Sequence, residues 1–179
     1  MERLTEVGLG QDHDSMTMAR TTEAWLAAGT ELQSRVARVL DGITPHVEVI
    51  GSSSVLGLLA KPIIDLAAGL PADQPLAPVV ERLETDGWIY RGDAGADGGH
   101  VFVLESRPRC RVAHPHVVGY DGDSWRNYLR FRDLLRRSPD ARQRYEAVKM
   151  ALVEQGIIDR KAYTHGKTEV VTSLLRTAE

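Results

Sequence analysis

The sequence predicts a mixed α/β (α+β) fold in which a sheet core is followed by a helical C-terminal region. Segments with strand-like alternation and segments with helical spacing interleave over residues 21–122, whereas 123–179 carry helical patterns alone. A length of 179 residues suits one domain with a full core. We therefore predict a loose N-terminal tail over 1–20 and a single domain over 21–179, divided into a sheet core (21–122) and a helical part (123–179).

The first half of the predicted domain begins with a helix capped by Thr21 or Thr22, whose apolar residues recur at helical spacing up to the Asp41-Gly42 stop. β-branched residues then alternate over 46–50, which predicts a strand. The small polar run Gly51-Ser-Ser-Ser54 ends that strand. The next elements are a short helix or helical turn over 55–60, a largely buried strand over 61–70 and an amphipathic helix over 75–86.

The second half begins with strands and ends with helices. A short strand over 88–90 precedes a glycine-rich loop over 92–99, and two further strands follow over 100–105 and 111–120. The chain then forms a helix over 124–137, a second helix opened by Ser138-Pro139 and a third over about 161–177.

The charge distribution limits the classes of partner. A net charge of −3 argues against a protein that binds nucleic acid generally. Residues 1–122 have a net charge of −7 and residues 123–179 a net charge of +4. The basic C-terminal third either contacts an anionic ligand such as a phosphate or is a solvated helix face rich in arginine.

The sequence also predicts the compartment. No window approaches the eighteen consecutive apolar residues that a membrane span needs, and the N-terminal residues lack the basic stretch and apolar run of a secretory signal. A single cysteine, Cys110, rules out an intramolecular disulfide framework. We expect a cytoplasmic protein with no membrane partner, and its oligomeric state is open.

Lysine is rare in this chain, with four lysines beside 18 arginines. A lysine can therefore mark a place that requires a compact ammonium charge rather than the planar fork of arginine. The candidate phosphate-binding cations are Lys61, Arg132, Lys149 and Lys167, and the alternative for each is an ordinary surface or packing role.

The stretch 50–65 carries the strongest chemical pattern. A strand ends in Gly51-Ser52-Ser53, and the next strand carries one acid, Asp65, among apolar residues. Glycine allows backbone to approach an anion closely, while serine hydroxyls and helix N-terminal amides can donate to phosphate oxygens. Asp65 can hold Mg²⁺ bridged to those phosphates, or it forms a structural ion pair, because an unpartnered buried acid is costly. The serines alternatively cap a simple turn.

Two histidines supply a second candidate group. His114 and His116 are two residues apart on a predicted strand and therefore project to the same face. They form half a metal site, a proton-transfer pair or a hydrogen-bonded pair within the core. Glu105 on the preceding strand is a further carboxylate, either solvated or close enough to serve as a ligand. We expect the pocket to lie between the Gly51–Ser54 loop, Asp65 and the histidine strand.

Residues 50–65 resemble the signature of the GrpB family, whose members have a sequence close to H-I-G-S-T-[SA]-V-P-G-L-x-A-K-P-I-I-D-I. The resemblance extends over about residues 22–176. It includes Trp25, Gly92-Asp-Ala-Gly95, Val101-Phe-Val103, His114-Pro-His116-Val-Val118, Trp125, Leu129 to Arg136, Tyr145, Lys149, Tyr163 and Lys167. The chain differs from the family pattern at Val49, Leu56 and Gly99, where His, Pro and Arg are expected.

The resemblance implies a nucleotidyltransferase-like fold, in which a Gly-Ser loop and strand-borne carboxylates bind a metal-nucleotide. We therefore expect the chain to bind a nucleotide or another phosphorylated metabolite, with Mg²⁺, between the Gly51–Ser54 loop, Asp65 and the basic helices. If the chain is catalytic, the reaction that the resemblance implies is Mg²⁺-dependent nucleotidyl transfer. Ser52 and Ser53 would then hold the triphosphate, Asp65 the metal, and a histidine of the 114/116 pair would position or deprotonate the acceptor. A working nucleotidyltransferase usually has a second acid two residues after the first, where this chain has Ala67. Strand alternation predicts that position 67 faces the pocket as a vacant ligand position.

Two other functions stay open. The first is a non-catalytic ligand-binding or accessory module, which Ala67 favours and which would suit the GrpB-like domains fused to dephospho-CoA kinase. The second is a metal-dependent enzyme of another type built around His114 and His116.

Overall fold

A computed structural model of the chain describes residues 2–95, 98–156 and 160–177, with part of the predicted 92–99 loop outside the described residues. The helices are α1 (Glu2–Glu6), α2 (Glu23–Val39), α3 (Leu76–Thr85), α4 (Asp123–Arg137), α5 (Pro139–Glu154) and α6 (Arg160–Thr177). The strands are β1 (Gln11–Asp12), β2 (Ala19–Arg20), β3 (Val47–Ile50), β4 (Leu59–Ala60), β5 (Ile64–Leu70), β6 (Ile89–Asp93), β7 (His100–Arg107) and β8 (Cys110–Gly119). None of the helices in these residues is long and apolar enough to cross a membrane.

The main sheet is mixed and has the order β3-β5-β8-β7-β6, with β1 added beside the start of β8. β5 and β8 run parallel, and the other neighbouring strands of this sheet run antiparallel. β2 and β4 form a separate two-stranded ladder. The predicted mixed sheet followed by a helical C-terminal region is confirmed.

The two faces of the sheet are covered by different helices. Leu66 and Ala68 of β5 share the main apolar core with residues of α2 and α3. Ala67 points to the opposite face, where it packs with Ile50, Val118 and Trp125 of α4. A third apolar cluster joins α4, α5 and α6 to Val55 and Leu58, which follow the serine turn. The helical region is therefore docked on the same side of the molecule as the Gly51–Ser54 turn.

Several predicted boundaries follow from local chemistry. The hydroxyl of Thr22 accepts a hydrogen bond from the backbone N–H of Trp25 and begins α2. The hydroxyl of Ser138 likewise accepts from the N–H of Ala141 at the start of α5, where Pro139 takes a first-turn position. These two caps explain why the helix starts could be predicted from the sequence.

Two predictions about local structure are wrong. Residues 1–20 are not a loose tail: Leu4 and Leu9 are buried, and the Val7 carbonyl accepts a hydrogen bond from the indole of Trp25. The expected short helix over 55–60 is replaced by a 3₁₀ turn at Ser52–Ser54 and by β4. A five-residue helix and two-residue strands leave too little periodicity to detect. The predicted division into one domain with a sheet core and a helical part stays a prediction.

Candidate functional site

Asp65 and His114 lie side by side on the sheet face that α4 covers. They are register partners across the parallel strands β5 and β8, and Asp65 Oδ1 is 3.7 Å from His114 Nδ1. His116, two residues further along β8, bonds through Nδ1 to the carbonyl of Gly98 at 3.0 Å. Because strand alternation puts both histidines on the face of Asp65, these three predicted site residues are brought together.

The Gly51–Ser54 turn reaches the same place from the end of β3. Gly51 has a φ of +68°, and a Cβ built there would be 2.8 Å from Asp65 Oδ2. A larger residue would therefore be strained and would collide with the carboxylate. The hydroxyl of Ser53 accepts a hydrogen bond from the backbone N–H of Asp65 at 3.2 Å. The Gly51–Ser54 turn and Asp65 are therefore held together by a hydrogen bond and by close packing.

The three serines of the turn differ in what their hydroxyls do. Ser53 and Ser54 are buried, and Ser54 donates its hydroxyl proton to the Gly51 carbonyl at 2.7 Å. Ser52 is partly exposed. The backbone N–H groups of Ser54 and Val55 are used inside the turn, on the carbonyls of Gly51 and Ser52. These two amides are therefore not free to contact an anion, and Ser52 is the one partly exposed serine of the turn.

Lys149 of α5 reaches the turn from the helical region. Its side chain is almost fully buried, with 1 % of the residue exposed, and its Nζ donates to Ser52 Oγ at 3.2 Å and to the carbonyl of Leu59. The ammonium also lies 4.4 Å from the ring centroid of Tyr145. Burial, reinforced by the positive charge of Lys167, lowers the pKa of Lys149 to about 7.

Lys61 and Lys167 complete a cluster of three lysines. Lys61 Nζ is 3.9 Å and Lys167 Nζ 4.7 Å from the ring centroid of the buried Tyr163. Both side chains are partly exposed. We call Lys61, Lys149 and Lys167 the lysine cluster. Its members come from the β4–β5 connection, α5 and α6, so the site exists only when the helical region is docked.

Asp65 carries the negative charge at the edge of the lysine cluster. Burial raises the pKa of its carboxyl, although the positive charges of His116, Lys167 and Lys61 act in the opposite direction. About a third of the side chain is exposed. The carboxylate is therefore partly desolvated but accessible, and positive groups surround it.

Arg132, the fourth predicted cation, has a different set of partners. Its guanidinium donates to Glu48 Oε2 and to Asp133 Oδ1, both at 2.8 Å, and to the carbonyl of Val49. Only 12 % of its side chain is exposed. Arg132 thus joins α4 to β3, and its role in holding phosphate stays a prediction.

Arg136 is a residue that the sequence reasoning missed. Its Nε and Nη2 donate to the carbonyl of Ser54 at 3.3 and 3.1 Å, and about half of the side chain is exposed. Burial and the nearby charge of Arg132 lower its pKa. Arg136 lies one helical turn after Arg132, and that spacing was the signal that could have found it. It supports the serine turn and adds positive charge beside it.

The donor set decides which metal chemistry fits. Within residues 2–95, 98–156 and 160–177, no group of three or more His, Cys, Asp or Glu side chains could hold a metal ion. Glu105 does not supply the missing carboxylate, because it pairs with Arg91 and accepts the backbone N–H of Arg109. Ala67 shares the face of Asp65 as predicted, but it is fully buried. The donor set therefore offers a cation one carboxylate, that of Asp65, and no cage of protein ligands within the described residues.

A shallow depression next to the C-terminal end of β8 is separate from this arrangement. Asp93, His100 and Asp123 contribute to its lining, together with backbone of several glycines. None of the residues predicted for the site lines it. The residues predicted for the site therefore lie apart from this depression.

Comparisons with known proteins agree on one family. The chain is 28% identical over 172 residues to "Glutamate-rich protein GrpB" of Alkalihalophilus pseudofirmus, covering 93% of this chain and 98% of the relative. It is 34% identical to a "UPF0157 protein" of Pseudomonas aeruginosa, covering 92% of this chain and 68% of the relative.

A solved structure supports the fold. The crystal structure of conserved protein GrpB from Enterococcus faecalis superposes with a TM-score of 0.76 at 24% identity, covering 90% of this chain and 98% of that one. The family model described as "GrpB protein" matches residues 15–177. Because this match covers nearly the whole chain, the chain belongs to the GrpB family.

Proposed function

We propose that this GrpB-family chain binds a nucleotide or another phosphorylated small molecule, with Mg²⁺, in front of the lysine cluster. The observation that carries the proposal is the convergence of three of the chain's four lysines around Ser52 and Asp65. Although the chain has 18 arginines, the cations that meet at this place are lysines, whose ammonium groups are compact. Lysine binds phosphate as a point charge and does not require the planar geometry of a guanidinium.

Each residue has a distinct task in this proposal. Lys61 and Lys167 are partly exposed and contact the phosphate oxygens directly. Ser52 offers its hydroxyl to the same group, while Lys149 acts from behind Ser52 because it is buried. Asp65 holds one Mg²⁺ that the ligand's own phosphate oxygens also bind, and the ion supplies positive charge against the phosphates. Such a ligand fits the cytoplasmic location expected from the sequence.

Ligand binding is favoured over two-metal nucleotidyl transfer by one observation, the buried Ala67 beside Asp65. In-line nucleotidyl transfer by two metals requires charge on both the attacking and the leaving oxygen, and Asp65 alone anchors one cation. If transfer occurs, His114 or His116 positions or deprotonates the acceptor. A histidine-based metal enzyme has less support, because His116 already bonds to Gly98 and no third ligand lies nearby within the described residues.

The test is a thermal-shift panel of nucleoside triphosphates, nucleoside diphosphates and coenzyme A-type metabolites, with and without Mg²⁺. A ligand at about a hundred times its Kd stabilises the folded chain by about 2.7 kcal/mol. For a chain of this size this raises Tm by roughly 5–10 °C. The matched pair of variants is Lys167→Met and Arg176→Met, since both residues lie on α6 and Arg176 is exposed in its last turn.

We expect Lys167→Met to lose most of the ligand-induced shift and Arg176→Met to keep it. The proposal is overturned if no phosphorylated compound raises Tm, or if the two variants respond alike.

A further inference from the structure

The hydrogen bond between Ser52 and Lys149 has a chemical use beyond the attraction of a phosphate by positive charge. Of the three turn serines, Ser52 is the partly exposed one, and the hydroxyls of Ser53 and Ser54 are used inside the protein. Lys149 lies behind Ser52, with Nζ 3.2 Å from Ser52 Oγ and almost no exposure of its own. A serine that is partly exposed, with a buried amine at hydrogen-bond distance from its hydroxyl, has the arrangement of a nucleophile and its general base.

We propose that Ser52 is a nucleophile toward phosphorus and that Lys149 is its general base. The inference deepens the proposed function and rests on it in one respect, because it takes the bound phosphorylated ligand as the electrophile. The lysine cluster favours a phosphorus electrophile over an uncharged ester, since Lys61 and Lys167 flank the site with positive charge.

The surroundings of Lys149 support a neutral amine near neutral pH. Burial and the charge of Lys167 on α6 lower its pKa, Arg20 of β2 acts in the same direction, and Glu146 one turn earlier on α5 opposes them. The ring of Tyr145 covers another side. A neutral amine donates to the Leu59 carbonyl while its lone pair accepts the Ser52 proton, so the two observed contacts suit both charge states.

The attack of Ser52 on phosphorus needs no reactant other than the bound ligand. Ser52 Oγ attacks phosphorus and forms an O–P bond, and its proton passes to Lys149 Nζ. The attack is on the terminal phosphorus, so the P–O bond to the rest of the ligand breaks, and for a nucleoside triphosphate the nucleoside diphosphate departs with the electron pair. Lys167, whose charge acts on Lys149, and Lys61, which shares the Tyr163 ring with Lys167, would stabilise that departing charge. The product is a phosphoryl ester of Ser52 and a lysine that has gained one proton.

The experiment uses an alkyl fluorophosphonate, a phosphorus electrophile that releases fluoride and does not need the natural ligand. Purified full-length protein is labelled over a range of pH, and the modified residue is identified by peptide mass spectrometry. We expect the label on Ser52 and a labelling rate that rises with pH around a midpoint near 7, the pKa given above.

Three variants separate a base from a structural residue. Ser52→Ala removes the label. Lys149→Arg keeps the charge but cannot lose its proton, so labelling slows by about a hundredfold. Lys167→Met removes a positive neighbour of Lys149, so the midpoint of the pH profile moves to higher pH. A lysine that merely packs against the turn would leave this midpoint unchanged. The wild-type pH profile remains decisive if Lys149→Arg fails to fold.

The outcomes also separate this inference from the proposed function. The inference is overturned if Ser52 is not labelled at neutral or alkaline pH, if another serine takes the label, or if Lys149→Arg reacts at the wild-type rate. If Ser52 is unreactive while nucleotides raise Tm, the proposed binding function stands alone. If Ser52 is labelled while no phosphorylated compound binds, the nucleophile stands and the assigned ligand class is wrong.

Discussion

Ala67 of β5 and His116 of β8 are direct neighbours across the parallel strands, yet Ala67 is completely buried whereas His116 is partly exposed. The methyl group of Ala67 packs with Ile50, Val118 and Trp125. Position 67 therefore shares the face of Asp65, as alternation predicts, but the space in front of it is occupied by apolar side chains. It is not a vacant ligand position.

The variant Ala67→Asp should lower stability instead of creating a metal ligand. A carboxylate introduced into this apolar cluster lacks water, and an uncompensated buried charge costs roughly 3–5 kcal/mol. The measurement is Tm without ligand, followed by a Mg²⁺ titration. Ala67→Asn is the matched control, since it has nearly the same size without the charge and should lose less. Wild-type Tm together with tighter Mg²⁺ binding in Ala67→Asp would contradict this expectation.

The variant Asp65→Asn should be at least as stable as the wild type when no ligand is present. Burial outweighs the attraction of the neighbouring positive charges, as the raised pKa of the Asp65 carboxyl indicates, so a neutral amide of the same shape removes a net cost. The Mg²⁺-dependent part of the ligand-induced Tm shift should disappear. Asp121→Asn, at an exposed carboxylate paired with Arg126, is the control that should keep this shift. A clear drop in Tm for ligand-free Asp65→Asn would instead identify a structural ion pair.

Lys149 should make stability depend on pH above neutrality. An unfolded lysine keeps its proton up to about 10.5, whereas folded Lys149 loses it near 7. Between these values the unfolded chain binds more protons, so the free energy of unfolding rises with pH, with a slope approaching about 1.4 kcal/mol per pH unit. Chemical denaturation of wild type and Lys149→Met over this range isolates the effect, because other titrating groups are common to both. Parallel stability curves for the two proteins would show that Lys149 has an ordinary pKa.

The variant Arg132→Met should reduce stability more than ligand affinity. Its guanidinium joins Glu48 to Asp133 and is mostly buried, so its removal costs roughly 1–3 kcal/mol. At a temperature where the variant is folded, the ligand should bind with little change in Kd, measured by calorimetry. Arg126→Met is the matched control on α4, since Arg126 forms an exposed pair and should cost little. A Kd that weakens as much as in Lys167→Met would place Arg132 among the ligand-binding residues.

Local patterns were sufficient to predict that several of the candidate site residues lie together. Strand alternation put His114 and His116 on one face, and a lone acid in an apolar strand identified Asp65. The rarity of lysine singled out side chains that meet from three separate elements. The caps at Thr22 and Ser138 fixed two helix starts because each depends on one nearby hydroxyl.

Other features depend on contacts that no local pattern encodes. The burial of Lys149 and of Ala67 follows from how α4, α5 and α6 dock on the sheet. Arg136 matters because its guanidinium reaches a carbonyl 82 residues earlier in the chain. The N-terminal segment is ordered by the Trp25 indole and by pairing with β8, since its own elements are too short to be stable alone.

Helix α6 makes one favourable and one unfavourable contact with the rest of the protein. Leu174 packs into the apolar cluster with Val55 and Leu58, whereas Lys167 lies close enough to Lys149 for the two charges to repel. A bound anion turns that repulsion into a shared attraction and adds a second anchor to the helix. Under the proposed function, the concentration of ligand would set how firmly this eighteen-residue helix is held against the sheet. We then expect α6 to resist proteolysis better, and its amides to exchange more slowly, as the concentration of ligand increases.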